Sequence, residues 1–392
     1  MRFSSFAAAA MLAALVTLLS GCGGSPSAST AVPGVAGAPA STADVLKLQL
    51  AGRLPTFLPR TALLRALHIL NANKHRPSVK RHAGNPGLWV SSLAYSYVVG
   101  LSPDAQHTVT AIDVGSNGCE DPYGIKVDHS NNLWVACAFN SSMSNGVVQE
   151  YKQGASTPAA TFNDAGCSSP CTSFDASAQD VAFDASGHVF ASNIDSNECV
   201  PYCTNNLYPV VWWPANSPNS LPTGIKDPNI IFSGGYLDVD ANGSVYTSGY
   251  GCIGTACGYL LDKIVNPTSA SPTVTNLVPP SFNYDLEGVY ASKSGTVLSV
   301  TDGDSRTISE YHLNPWNATA FKKNGPTLTN IEGYGQPIAG GYTKDENTLV
   351  QGDAFGWVDV GKVDGNNNNW QTFTNPDINA LNAGAAYVPS DK

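Results

Sequence analysis

The sequence has little on which ordinary active-site chemistry depends. It has seven histidines. Three of them, His68, His75 and His82, precede the region of repeated structure. No Ser/His/Asp arrangement, glycine-rich phosphate loop or helical paired-carboxylate motif is present. Basic residues are scarce where they would matter for nucleic acid. Only 11 of the 20 Lys and Arg, but 29 of the 30 Asp and Glu, lie in residues 83–392. That region carries about −18, which repels phosphate backbones and excludes nucleic-acid binding. Such a charge attracts cations and cationic ligands, and it also serves solubility. Helical periodicity is missing throughout that region, which argues against a parallel α/β fold.

The apolar run Phe6–Leu19 is too short to span a bilayer. It follows Arg2 and precedes small residues, as in a secretory signal. Leu19-Ser20-Gly21-Cys22 resembles a bacterial lipobox, which makes residues 1–21 a signal peptide and Cys22 the lipidated mature N-terminus. An ordinary signal peptide with a chance cysteine is the alternative. Gly23 in place of an aspartate favours the outer membrane if enterobacterial sorting rules apply. Residues 22–45 are a low-complexity tether rich in Gly, Ser, Ala, Pro, Thr and Val. Residues 46–83 hold eight Lys and Arg and no acid, with Leu63, Leu64, Leu67 and Leu70 at helical spacing. A solvated linker helix, a helix docked on the acidic domain and a basic helix on anionic lipid all fit this segment.

Residues 84–392 repeat. VDHSNNLWVAC (127–137), FDASGHVFASN (183–193), VDANGSVYTSG (239–249), ASKSGTVLSVT (291–301) and TKDENTLVQGD (343–353) each read strand, polar turn, strand. The turn position is Asn131, Gly187, Gly243, Gly295 and Asn347, at spacings of 56, 56, 52 and 52 residues. Gly and Asn tolerate positive φ, so a left-handed hairpin residue is expected there. Third runs follow at 146–152, 209–214, 259–265, 307–313 and 357–363, then short fourth runs such as AATF (159–162) and NIIFS (229–233). Four antiparallel strands in a unit of this length predict a propeller blade. A sixth unit is split: GAAYVPS (384–390) supplies its first strand, and GLWVSS (87–92), YSYVVGL and HTVTAI supply the rest. The expected fold is all-β, a six-bladed β-propeller and a monomer. Its ring is closed by the C-terminal strand pairing with the N-terminal strands of the same blade.

Eight cysteines remain after Cys22. An even number in an exported domain predicts disulfides, paired by proximity as Cys167–Cys171, Cys199–Cys203 and Cys252–Cys257, leaving Cys119 for Cys137. All eight fall in or beside the loops leading into first strands or joining second to third strands. Those loops form one elaborated face, whereas the opposite turns are short. Loop stability in a harsh compartment and a preformed binding surface both account for this. Asp121, Tyr123, Asp195, Asp302 and Asp353 are candidates at the channel mouth, and aromatics in the same loops suit a protein, peptide or sugar ligand.

The strands GIKVD and NLWVA resemble NHL-type and gluconolactonase-type propeller repeats. DLEGVYASKSGTVLSVTDGDSRTISEY (285–311) resembles the gluconolactonase blade in which Glu-Gly opens the channel strand. The resemblance implies a divalent cation, usually calcium, at the channel mouth. It matches Glu287 to the family glutamate, with Asn382 and Asp180 as the other ligands, and a second family asparagine has no clear counterpart. Such an ion polarises a lactone carbonyl and activates water. Polar residues that merely hydrate the channel are the alternative. Propeller lyases use channel histidines, and His107, His129, His188 and His312 all fall at turns or outer strands. The expected protein is a lipid-anchored, envelope-located binding module, with a calcium-dependent hydrolase as the competing reading.

Overall fold

A computed structural model describes residues 85–392 except 93–95, 141–144, 164–175, 196–207, 231–232, 282–285, 293–294, 303–306, 314–320, 330–336, 343–347, 354–356, 363–369, 375–377, 379–381 and 388–392. Blade 1 begins with β1 (Leu88–Ser92), β2 (Tyr97–Leu101) and β3 (Thr108–Asp113). Blade 2 is β4 (Pro122–Val127), β5 (Leu133–Asn140), β6 (Asn145–Tyr151) and β7 (Ala160–Asn163). Blade 3 is β8 (Ala176–Phe183), β9 (Val189–Asp195), β10 (Val210–Trp213) and β11 (Thr223–Ile225). Blade 4 is β12 (Ser233–Val239), β13 (Val245–Ile253), β14 (Ala256–Val265) and β15 (Thr273–Ser281). Blade 5 is β16 (Leu286–Ala291), β17 (Val297–Asp302), β18 (Thr307–Leu313) and β19 (Phe321–Thr329). Blade 6 is β20 (Pro337–Tyr342), β21 (Thr348–Asp353), β22 (Trp357–Lys362) and β23 (Trp370–Thr374). The last strand, β24 (Asn382–Tyr387), returns to blade 1 and pairs antiparallel with β1, Trp89 opposite Ala386 and Val90 opposite Ala385. The protein is a six-bladed β-propeller closed as its sequence predicts.

The alternating strands bury their apolar residues between blades. Trp89, Val98 and Ile112 of blade 1 meet Ile125, Val135 and Val147 of blade 2. Trp134, Phe162, Val181 and Trp213 join blades 2 and 3. Phe190 and Leu237 join blades 3 and 4, Leu261 and Val289 join blades 4 and 5, and Tyr290 and Leu349 join blades 5 and 6. The last interface, between blades 6 and 1, packs Val350 and Val358 on Val90 and Val99. Burial therefore closes the ring at all six interfaces, and the strand pairing of β24 adds to it.

The hairpin turns have the predicted left-handed residue, with φ of 59° at Asn131, 79° at Gly187, 76° at Gly243 and 65° at Gly295. An aspartate at the start of three turns fixes them. Asp128 accepts from the N–H groups of Ser130 and Asn132, Asp184 from Ser186 and His188, and Asp240 from Asn242 and Ser244. The second carboxylate oxygen reaches Trp134 Nε1 and Tyr246 Oη of the next strand, or His188 Nδ1 just before it. At Gly295 a Cβ would lie 2.2 Å from Asp240 Oδ2, so this glycine is required by space as well as by φ.

One fourth strand is placed differently from the sequence reading. NIIFS (229–233) is not the outer strand of blade 3; β11 is. The cause is Asp227, whose Oδ1 accepts from Asn229 N at 2.8 Å and Ile230 N at 3.1 Å. This side-chain capture curls the backbone out of an extended path, while Ile230 is still fully buried.

Candidate functional site

The six first strands β4, β8, β12, β16, β20 and β24 line the central channel. All six depart from regular register at the same level. The bulges fall between Pro122 and Ile125, Ala178 and Asp180, Gly234 and Leu237, Leu286 and Val289, and Pro337 and Gly340, and opposite Ser91 and Ser92 of β1. A bulge unpairs the backbone locally and re-aims side chains. Tyr123, Gln179, Tyr236 and Glu287 occupy these bulges. Hydroxyls of the preceding blades hold two of them: Ser91 Oγ donates to Tyr123 O at 2.6 Å, and Ser248 Oγ to Glu287 O at 3.1 Å.

Below the bulges lies a charged cluster. Asp180 is 3% exposed, with Oδ1 accepting from Val181 N at 2.9 Å and Oδ2 from Leu237 N of blade 4 at 3.2 Å. On its other side it rests against Gly124 of blade 2, where a Cβ would lie 2.0 Å from Asp180 Oδ1. Burial pushes its carboxyl up to about 7, against the lowering field of Lys126 and the two N–H donors. Lys126, from β4, crosses the channel. Its Nζ donates to Gly340 O of blade 6 at 3.2 Å, pairs with Asp238 Oδ1 of blade 4 at 3.6 Å, and lies 5.9 Å from the ring centre of Tyr290 in blade 5. Asp238 Oδ2 accepts from Ala291 N at 3.0 Å. Burial, then the charge of Asp180, raises the Tyr290 hydroxyl well above its ordinary value, so it stays protonated.

The candidate metal residues come from three inner strands, each at or beside its bulge. Glu287 is 3% exposed in its bulge, and Asn382 opens β24 opposite Ser92. The side chain of Asn382 lies outside the described residues, as do those of Asp195 and Asp353, which end β9 and β21. Asp302 ends β17 and is 8% exposed; Asp121 and Tyr123 are buried at 7% and 3%. Among the described residues, no group of three or more His, Cys, Asp or Glu is arranged to hold a metal ion. Each Asp180 oxygen accepts one backbone N–H, and the positive charge felt there is that of Lys126, which would repel a second cation while it is in place. Lys126 itself went unremarked in the sequence. A signal was there, because Lys126, Ala182 and Asp238 share one register, opposite Trp134, Phe190 and Tyr246. Opposite charges at one channel level in otherwise small positions mark an ion pair across a ring.

On the loop face, Cys119–Cys137 and Cys252–Cys257 are bonded as expected. The pairs 167/171 and 199/203, like Cys22, lie outside the described residues. β13 and β14 form a long hairpin whose tip is stapled at Cys252–Cys257, directly opposite in register. Beyond the staple, Ile253 is 37% exposed, and behind it Tyr250 and Tyr259 meet edge-to-face at 5.4 Å.

A second buried acidic pair lies off the channel. Asp227 and Asp262 of β14 are 4% and 0% exposed. Asp262 accepts from Asn229 Nδ2 and Asn276 Nδ2, each at 2.8 Å. Burial first, and then the facing charge of Asp262, holds the Asp227 carboxyl far above the ordinary carboxylate range, so the pair retains a proton.

No family model matches the sequence, and no curated protein matches it either. Solved structures do align with it, with differing closeness. A chain in a nidogen/laminin complex aligns with a TM-score of 0.52 at 11% identity, over 78% of this chain and 99% of that one. A functionally unknown protein from Desulfotomaculum acetoxidans gives 0.47 at 12% identity, over 78% and 100%. The calcium-binding protein regucalcin from Agrobacterium tumefaciens gives 0.44 at 12% identity, over 69% and 79%. At these identities the likeness is one of fold alone, and the chain is a six-bladed propeller whose chemistry must be read from its own side chains.

Proposed function

We propose that this propeller is the non-catalytic binding module of an exported protein, anchored in the bacterial envelope through lipid on Cys22, and that it engages a protein, peptide or sugar ligand through its stapled loop face. The observation that supports this reading is the β13–β14 hairpin. Its disulfide, its edge-to-face tyrosines and its exposed Ile253 make a rigid apolar tip on the elaborated face. Rigid, pre-organised aromatic and aliphatic groups lose little entropy on binding, which is what a recognition surface needs. On the opposite face the described hairpin turns are tight and closed on their own aspartates, and the exposed Leu221 in the β10–β11 loop has no disulfide beside it among the described residues.

A calcium-dependent hydrolase resembling gluconolactonases is the competing reading. It would need Glu287, Asn382 and Asp180 to hold an ion against the field of Lys126, which reaches Asp180. The binding reading is tested with the full chain against immobilised envelope glycans and peptide libraries. The wild type should bind at least one of them, and Ile253→Asp should abolish that binding without changing the melting temperature. Equal binding by Ile253→Asp would remove the hairpin from the site. Anchoring is tested separately with Cys22→Ser, which should move the protein from the membrane to the soluble fraction.

A further inference from the structure

The charged cluster in the channel is not explained by ligand binding on the loop face. Lys126 reaches from blade 2 to Gly340 O of blade 6 and Asp238 of blade 4. Asp238 passes the contact to Ala291 N of blade 5, and Asp180 of blade 3 accepts from Leu237 N of blade 4 while resting on Gly124 of blade 2. Five of the six inner strands therefore meet around a single ammonium. The groups in contact with it are the Asp238 carboxylate, a backbone carbonyl and the ring of Tyr290, and its charge also reaches the Asp180 carboxyl, which together form an oxygen-rich, partly aromatic cage. This is the composition of a site built for a cation.

We propose that Lys126 is the channel's resident cation: its side chain ammonium takes the place of a bound metal ion and ties the inner strands together. Three features of the cluster favour this over an incidental surface lysine. Nζ is held by partners from blades 112 and 214 residues away along the chain, so the contact is tertiary and pins the ring rather than one blade. The partners are themselves fixed, Asp238 by Ala291 N and Asp180 by Val181 N and Leu237 N, so the cage is pre-organised for positive charge. The alternatives at the same register are small or opposite in sign, Ala182 and Asp238, which leaves room for one long cationic side chain and no more. A tethered cation needs no uptake from the medium and cannot be stripped by a chelator.

The test uses the whole chain and a thermal melt with calcium chloride as the probe. Wild-type protein freed of surface ions by dialysis against chelator should melt at an unchanged temperature and contain no stoichiometric divalent metal. Lys126→Ala should melt lower and empty the cage, and millimolar calcium should then raise its melting temperature by about 2–4 °C beyond any rise in the wild type. Adding Asp238→Asn to Lys126→Ala should erase that gain. Lys126→Arg, which keeps the charge, should show no calcium response and serves as the control if the alanine variant folds poorly. A stoichiometric metal in the wild type, a chelator-induced drop, or an alanine variant as stable as the wild type and indifferent to calcium would each overturn the proposal. None of these outcomes bears on glycan or peptide binding at Ile253, so the two readings fail separately.

Discussion

The Asp227–Asp262 pair makes a prediction that pH and one isosteric change can test. Asp227 is buried, its Oδ1 is held by two backbone N–H groups, and its other oxygen faces Asp262, itself held by Asn229 and Asn276. The folded carboxyl keeps its proton far above the value of 3.8 at which an exposed aspartate loses it. Between these two limits the folded state binds one more proton than the unfolded state. Stability is therefore complete below the unfolded value and is lost as pH rises toward the folded one. One extra proton corresponds to about 1.4 kcal/mol per pH unit, or about 3 kcal/mol between pH 5 and pH 7. Asp227→Asn keeps an oxygen for Asn229 N and Ile230 N and presents an amide N–H to Asp262 where the shared proton was. Urea denaturation of wild type and variant at pH 5, 6 and 7 should give curves that diverge by that amount, the variant gaining as pH rises. Asp180 is raised in the same direction and contributes equally to both proteins, so it cancels in the difference. Parallel pH dependences would refute the claim that Asp227 is protonated in the fold.

Two further outcomes follow from the packing. Gly124→Ala would place a methyl group 2.0 Å from Asp180 Oδ1 and 2.8 Å from its Cα. Because the second contact is backbone, the strand itself must move, at a cost of about 1–3 kcal/mol; an unchanged melting temperature would show that β4 and β8 are not so closely apposed. The disulfides should differ in weight: Cys119–Cys137 spans 18 residues and Cys252–Cys257 only five. Loop-closure entropy predicts losses of about 3 and about 2 kcal/mol on replacing each pair by alanine. A calorimetric order opposite to this would mean that native-state packing, rather than the unfolded chain, sets their value.

The ring was legible in the sequence because its determinants are local and repeated. A hairpin needs a positive-φ residue at its turn, so Asn131, Gly187, Gly243 and Gly295 recur at near-constant spacing and announce the blades. Strand alternation then places Trp134, Phe190 and Tyr246 at interfaces without knowledge of the neighbours. Even the closure could be read, since GLWVSS and GAAYVPS each match one half of the hairpin. What failed was also local but of a different kind. NIIFS has the apolar content of a strand, but the side chain of Asp227 takes the backbone N–H groups of its first two residues, Asn229 and Ile230, out of a strand ladder. The same repeated aspartates at Asp128, Asp184 and Asp240 stood in the aligned blocks as part of the pattern without showing that they fix the turns.

The channel was less legible because its partners come from different repeats. A period tells which position faces the axis; it does not tell which side chain is long enough to cross to a strand 214 residues later. From the sequence Lys126 is one charge at a repeat position, and Asp180 is a ligand in the metal set that the family resemblance implies. Their juxtaposition also changes what the charge of about −18 means. Asp128, Asp184 and Asp240 are committed to turn N–H groups, Asp238 to the channel ammonium and to blade 5, Asp180 to N–H groups of its own strand and of blade 4, and Asp227 and Asp262 share a proton out of contact with water. Seven of the 29 acids thus do architectural work inside the ring, and Asp227 carries little charge at neutral pH. The hydrogen-bonded aspartates keep their charge, so the proton shared by Asp227 and Asp262 lowers the total by only about one unit. What the stapled face offers besides charge is the fixed apolar tip at Ile253.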